Sequence, residues 1–145
     1  MSFKLRYIFK AGALLLCILF FTLPLVQCTV SSDINATGLE IAVGSGVLME
    51  NVSNEEGANP FVFALLLIPL VMLVLSFLKK SFAVLRNISI AGLIAKIVFM
   101  ISSTIKFNSS DYESMVKLTV YNWFVVFIYV GLIILAAYCH KTGRE

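Results

Sequence analysis

The chain has 145 residues, 60% of them hydrophobic and 13% charged, with a formal net charge of +3 and a mean hydropathy of +0.98. A water-soluble domain is roughly 45–50% apolar and about 25% charged, so a single soluble fold of this length has no interior large enough for so much apolar surface. Lys and Arg stand at the ends of apolar runs instead of clustering on one face, which argues against nucleic acid as a partner.

A bilayer core about 30 Å thick takes about 20 apolar residues in a helix. Four runs fit that description, and their unbroken, unalternating character points to helices over barrel strands. The first is residues 8–27, "IFKAGALLLCILFFTLPLVQ". Its basic start and apolar continuation also fit a secretory signal, with "LPLVQC" presenting Cys28 for lipidation. Gln27 stands where such cleavage needs a small side chain, so the span is the preferred reading.

The outer loop, residues 28–60, follows. It holds most of the eight acidic residues (Asp33, Glu40, Glu50, Glu55 and Glu56) and no Lys or Arg. In residues 39–49, Leu39, Ile41 and Val43 alternate with Glu40 and Ala42, and Gly44-Ser45-Gly46 can turn the chain back. That is a β-hairpin signal; the competing reading lays the apolar side of this segment into the lipid interface. Asn35, Asn51 and, in the second outer loop, Asn108 begin Asn-x-Ser/Thr triplets. They are glycosylation acceptors only if the chain enters a eukaryotic secretory pathway. The acidic residues lack the spacing of a calcium loop. Cys17, Cys28 and Cys139 lack zinc spacing. No metal and no cofactor is expected.

The second span, residues 61–78, is uncharged and has Pro69 at its centre. The short link "KKSFAVLRN" makes it an antiparallel hairpin with the third span, residues 87–105. That span carries Ser89, Ala91, Gly92 and Ala95, small residues suited to close helix packing, and Lys96. An ammonium at mid-bilayer costs about 2.5–3.5 kcal/mol on insertion scales and is by default a functional candidate. No Asp or Glu lies in any span to pair with it. Tyr129 is its expected partner by depth, followed by the Leu65 carbonyl that Pro69 deprives of its donor. The plainer alternative has Lys96 snorkel toward the cytoplasmic end along its apolar stem, or simply hydrogen-bond a neighbouring helix. The fourth span is residues 119–139, with Tyr121 and Trp123 near its outer end and Tyr138 near its inner end as interfacial anchors.

With four spans, Lys4, Arg6, Lys10, Lys79, Lys80, Arg86, Lys141 and Arg144 all fall on one side, which places both termini in the cytoplasm. In a bacterium this is the inner membrane. The expected fold is an all-α membrane protein, one integral domain over residues 1–145, built as a four-transmembrane-helix bundle with a small outer loop.

Catalytic constellations are absent from the pattern. His140 is the only histidine, no cysteines are paired, and no phosphate-cradling glycine loop occurs. The reading is a non-enzymatic accessory or interaction subunit whose partners are the lipid bilayer and another membrane protein or a second copy of itself. The alternative is a small transporter or channel subunit using Lys96. A third reading is a surface lipoprotein held through Cys28.

Pro24, Cys28, Gly38, Glu40, Ile41, Ala42 and Gly44 form a pattern that resembles small uncharacterised bacterial multi-span membrane proteins. These have a Pro-rich first-span end, a cysteine, and a Gly-x-Glu-Ile-Ala-x-Gly segment. The resemblance covers residues 24–44 and implies a bacterial inner membrane, with no activity attached. The tetraspan plan is also that of the claudin-like proteins of animals, but their Trp–Gly-Leu-Trp–Cys–Cys signature is missing here.

Overall fold

The computed structural model describes residues 2–28, 35–43, 60–79, 81–108 and 116–142. In chain order the elements are α1 (Ser2–Thr22), β1 (Pro24–Cys28), β2 (Asn35–Thr37), α2 (Gly38–Val43), α3 (Pro60–Phe77), α4 (Phe82–Asn108), β3 (Val116–Leu118) and α5 (Tyr121–Lys141). The fold is mostly helical. Three helices are long and apolar enough to cross a membrane, Lys4–Thr22, Phe82–Thr104 and Tyr121–Lys141, while the apolar stretch Phe61–Phe77 is shorter.

The four long helices touch in a closed ring, α1 against α3, α3 against α4, α4 against α5, and α5 against α1. Each turns a narrow stripe inward. On α1 the buried positions are Phe9, Ala13, Leu16 and Phe20. On α4 they are Phe82, Leu85, Ser89, Gly92, Lys96 and Phe99. The steps alternate between three and four residues, the repeat of helices packed nearly antiparallel with side chains interlocked. α3 repeats it through Val62, Leu65, Pro69, Met72 and Ser76.

Hydrophobicity alone does not choose these stripes, because the helices are apolar all round. Several small and polar residues share the inward stripes with the large apolar ones: Ala13, Ser76, Ser89, Gly92, Lys96 and Asn122 are buried. Leu14, Ile18, Leu67, Val74, Ile94, Phe127 and Ile134 face out. Where lipid is as apolar as leucine, burying leucine gains little; close packing and polar contacts decide instead. Of the small residues noted in the third span, Ser89 and Gly92 are inside, Ala95 is half-buried and Ala91 is exposed. A Cβ on Gly92 would lie 2.4 Å from Tyr129 Cε1 and 2.9 Å from Ile68 Cγ2, so side chains of α3 and α5 rest directly on the α4 backbone there.

Three expectations change, the simplest being that the third span, expected at residues 87–105, runs from Phe82 to Asn108 and so takes in most of the expected link and the start of the expected second outer loop. The first apolar run, residues 8–27, is not one helix. α1 begins at Ser2 and ends at Thr22, and the run finishes as strand β1. Pro24 is the cause: it has no N–H for the helix, its ring crowds the carbonyl four residues back, and it drives Leu23 toward extended backbone. β1 then pairs antiparallel with β2 (Val26 opposite Ala36) and with β3 (Val26 opposite Leu118), in the order β2-β1-β3.

The third change concerns residues 39–49. Leu39 to Val43 do not form a hairpin strand but lie in helix α2, and the antiparallel pair near them is β1 with β2. A capping box starts the helix. Glu40 Oε2 accepts from Thr37 N at 2.7 Å and from Thr37 Oγ1 at 2.9 Å, while Glu40 N donates to Thr37 Oγ1 at 3.4 Å. That reciprocal arrangement satisfies helix-start donors a strand would leave to other partners. Gly38 tucks under Phe20, where a Cβ would stand 2.6 Å from the ring. Ile41 and Ala42 join the cluster of Phe20, Leu25, Val62 and Phe99, leaving Leu39 and Val43 exposed. The turn and second strand expected at residues 44–49 lie outside the described residues.

Candidate functional site: a lysine tied beneath the sheet

The apolar interior falls into two clusters. One joins Phe20, Leu25, Leu65 and Phe99 to α2 and the sheet. The other joins Phe9, Leu16, Met72, Phe82, Tyr129 and Cys139. Lys96 sits between them, 2% exposed.

Its Nζ donates to Asn122 Oδ1 at 2.7 Å and stands 5.0 Å from the centroid of the Phe99 ring. Asn122, fully buried, is fixed from its other side: Nδ2 donates to the Leu25 carbonyl at 2.8 Å and to the Thr119 carbonyl at 3.0 Å. With its two donors held by carbonyls, the amide turns its oxygen to the ammonium; a flipped amide would oppose donor to donor and acceptor to acceptor. Thr119 fastens the same place, with its backbone N donating to Leu25 O at 3.1 Å and its Oγ1 to Pro24 O at 2.5 Å. The register of β1 against β2 shifts between Pro24 and Val26. Leu25 O faces the β3 side, where it accepts from Thr119 N and, with its second lone pair, from Asn122 Nδ2 of α5. One buried amide thus joins α4, α5 and β1.

Lys96 and Tyr129 line one small cavity of about 20 Å³ with Leu16, Leu19, Phe20, Leu25, Leu65 and Val125. It has room for about one water. The structure brings the two expected residues together here, but the hydrogen bond of Lys96 goes to Asn122. Tyr129 lays its ring over Gly92 instead. Nor does the ammonium reach toward the end of the bundle that holds Lys10 and Lys79. It leans the other way, toward the sheet, because the free acceptor is there. In the opposite direction Ser89 already donates to Leu85 O at 2.8 Å.

Asn122 was not singled out from the sequence. Its signal was available: it is the amide in "YNWFVVF", seven residues before Tyr129 and therefore on the same helix stripe. A search by depth misses it, because a lysine stem reaches about one helical turn along its neighbour.

The remaining candidates are scattered. Cys28 ends β1 opposite Val116, Asn35 is in β2 opposite Gln27, and Asn108 closes α4. Asn51 lies outside the described residues. Among the described residues no group of three His, Cys, Asp or Glu side chains could hold a metal ion.

Fold and site together define a mostly helical chain with three helices fit to cross a membrane and a lysine fastened inside it. No protein-family model, no curated protein and no solved structure matches the chain.

Proposed function

We propose that this chain is a four-span membrane protein with both termini in the cytoplasm, that it catalyses no reaction, and that it serves as an accessory or interaction subunit of a membrane complex. The observation that carries this reading is the Lys96–Asn122 contact. Lys96 and Asn122 are turned on one another and on the Leu25 and Thr119 carbonyls, so they tie β1 to α4 and α5. α3 is the shortest of the four spans, and its 18 residues rise about 27 Å. A mismatch of a few ångströms costs only fractions of a kcal/mol per ångström. The partner-facing surface is the outer end, where α2 presents Leu39 and Val43 one turn apart and exposed.

A small transporter or channel subunit is the second reading, favoured by the cavity that Lys96 and Tyr129 share. Room for about one water puts it behind the first. Extraction in a mild detergent, followed by identification of co-purifying protein, tests the pair. The Leu39→Ser, Val43→Ser double variant is expected to lose its partner while remaining in the membrane, and Lys96→Met to leave solute flux unchanged. Partner binding indifferent to the α2 change, or flux lost in a correctly inserted Lys96→Met protein, would reverse the order.

A further inference from the structure

At the end of the bundle away from Lys96, the first turns of α1 meet the turn between α3 and α4. The Arg6 guanidinium lies 4.6 Å from the Phe82 ring centroid, and Lys10 Nζ lies 4.3 Å from that of Phe77. Between those phenylalanines the turn carries Lys79 at φ 52°. Its N–H donates to Ser76 O at 3.4 Å, the bond a helix end makes when the next residue is left-handed. Glycine is the usual residue there, with asparagine next, because a Cβ is strained in that conformation. Lys79 is exposed, so packing does not account for a lysine in a strained place. No Asp or Glu occurs in α1, α3, α4 or α5. Phe77 and Leu78, beside these cations, are 62% and 63% exposed.

We propose that Arg6, Lys10 and Lys79 seat the phosphate headgroup of an anionic phospholipid, with Phe77 and Leu78 against its first acyl carbons. This rests on the membrane-spanning reading above. The charge is complementary, the depth is that of the headgroups at the end of apolar helices, and the neighbouring exposed surface is apolar. Lys79 carries its charge in a strained conformation although Lys80, next in the sequence, already supplies positive charge of the kind a cytoplasmic bias calls for.

The test uses the full chain, extracted in mild detergent and incubated with lipid from phosphatidylglycerol or phosphatidylcholine vesicles, with retained lipid counted by native mass spectrometry. The wild type is expected to retain phosphatidylglycerol preferentially. Lys79→Gly is expected to reduce that retention about fivefold, the share of one basic residue at an anionic surface, with an unchanged or raised Tm because strain is relieved. Inorganic phosphate is expected not to displace the lipid. Equal retention of both lipids, a Lys79→Gly variant that retains as much as the wild type, or displacement by inorganic phosphate would each overturn the proposal. Carbonate washing of membranes separates the two failures. A protein that resists washing yet shows no lipid preference loses only this seat; one that washes off loses the spanning reading too.

Discussion

At the scale of single residues, Lys96 raises the question of what makes a buried ammonium tolerable without a carboxylate. Insertion at mid-bilayer costs about 2.5–3.5 kcal/mol. A hydrogen bond to a charged group returns about 1.5–3 kcal/mol, and a desolvated ring face up to about 2 kcal/mol. The terms nearly cancel, so the pair adds little net stability and chiefly fixes which parts meet. Removing one member is not symmetric with removing the other. Asn122→Leu leaves the ammonium with the Phe99 ring alone and is expected to destabilise by about 2–3 kcal/mol, close to the cost of breaking a buried charged contact. Lys96→Met leaves only a neutral acceptor and is expected to cost about 1 kcal/mol. The double variant should be more stable than the sum of the two losses by at least about 1 kcal/mol. Unfolding in mixed micelles measures all three, and strict additivity would mean that the 2.7 Å contact carries no energy. Lys96 was legible in the sequence because an ionisable residue in an apolar run is conspicuous. Asn122 was not, since a neutral amide near a span end is common and its partner is chosen by a side chain reaching along the helix.

At the scale of elements, the sequence signals divide by whether they are local. The four apolar runs could be read directly from the sequence, but the α3–α4 link could not: most of "KKSFAVLRN" belongs to α4, which begins at Phe82. The end of α1 was written in Pro24, but continuous hydropathy through Leu23, Leu25 and Val26 masked it: apolar strands and apolar helix ends look alike without a period to separate them. The Leu39, Ile41, Val43 alternation suggested a strand, whereas Thr37 and Glu40, three residues apart, carried the helix-start signal that prevailed. Small-residue packing was only half legible, because Ser89 and Gly92 were correctly grouped but the repeat excluding Ala91 emerges only when α3 and α5 are both present. Gly92 is where this packing is most sensitive. A methyl group there must displace Tyr129 or Ile68, and Gly92→Ala is expected to cost about 1–3 kcal/mol through overpacking. Shortening the opposing side chain with Tyr129→Leu in the Gly92→Ala background should restore part of the loss. A thermal melt of the three variants checks it; equal Tm values for the wild type and Gly92→Ala would mean that α4 and α5 are not this close.

At the scale of the whole molecule, the surface of the helices departs from that of a soluble domain: leucine, isoleucine and phenylalanine cover the outside, while Ser76, Ser89, Lys96 and Asn122 are buried among the apolar residues of the interior. Composition alone foretold this, because so few charged residues cannot cover a surface in water. The sheet and α2 gather at one end, with Glu40, Lys106 and Lys117; Lys4, Arg6, Lys10, Lys79, Arg86 and Lys141 stand toward the other, where no acidic residue occurs among the described residues. The central claim is that all four long helices cross the bilayer and that this charge difference sets their direction. Reporter fusions at both ends of the chain, with a third inserted beside Glu40, test it most directly. The account predicts both chain ends on the cytoplasmic face and the Glu40 reporter on the far face. Chain ends on opposite faces, as an odd number of crossings would give, or a Glu40 reporter sharing the cytoplasmic side with them, would contradict it.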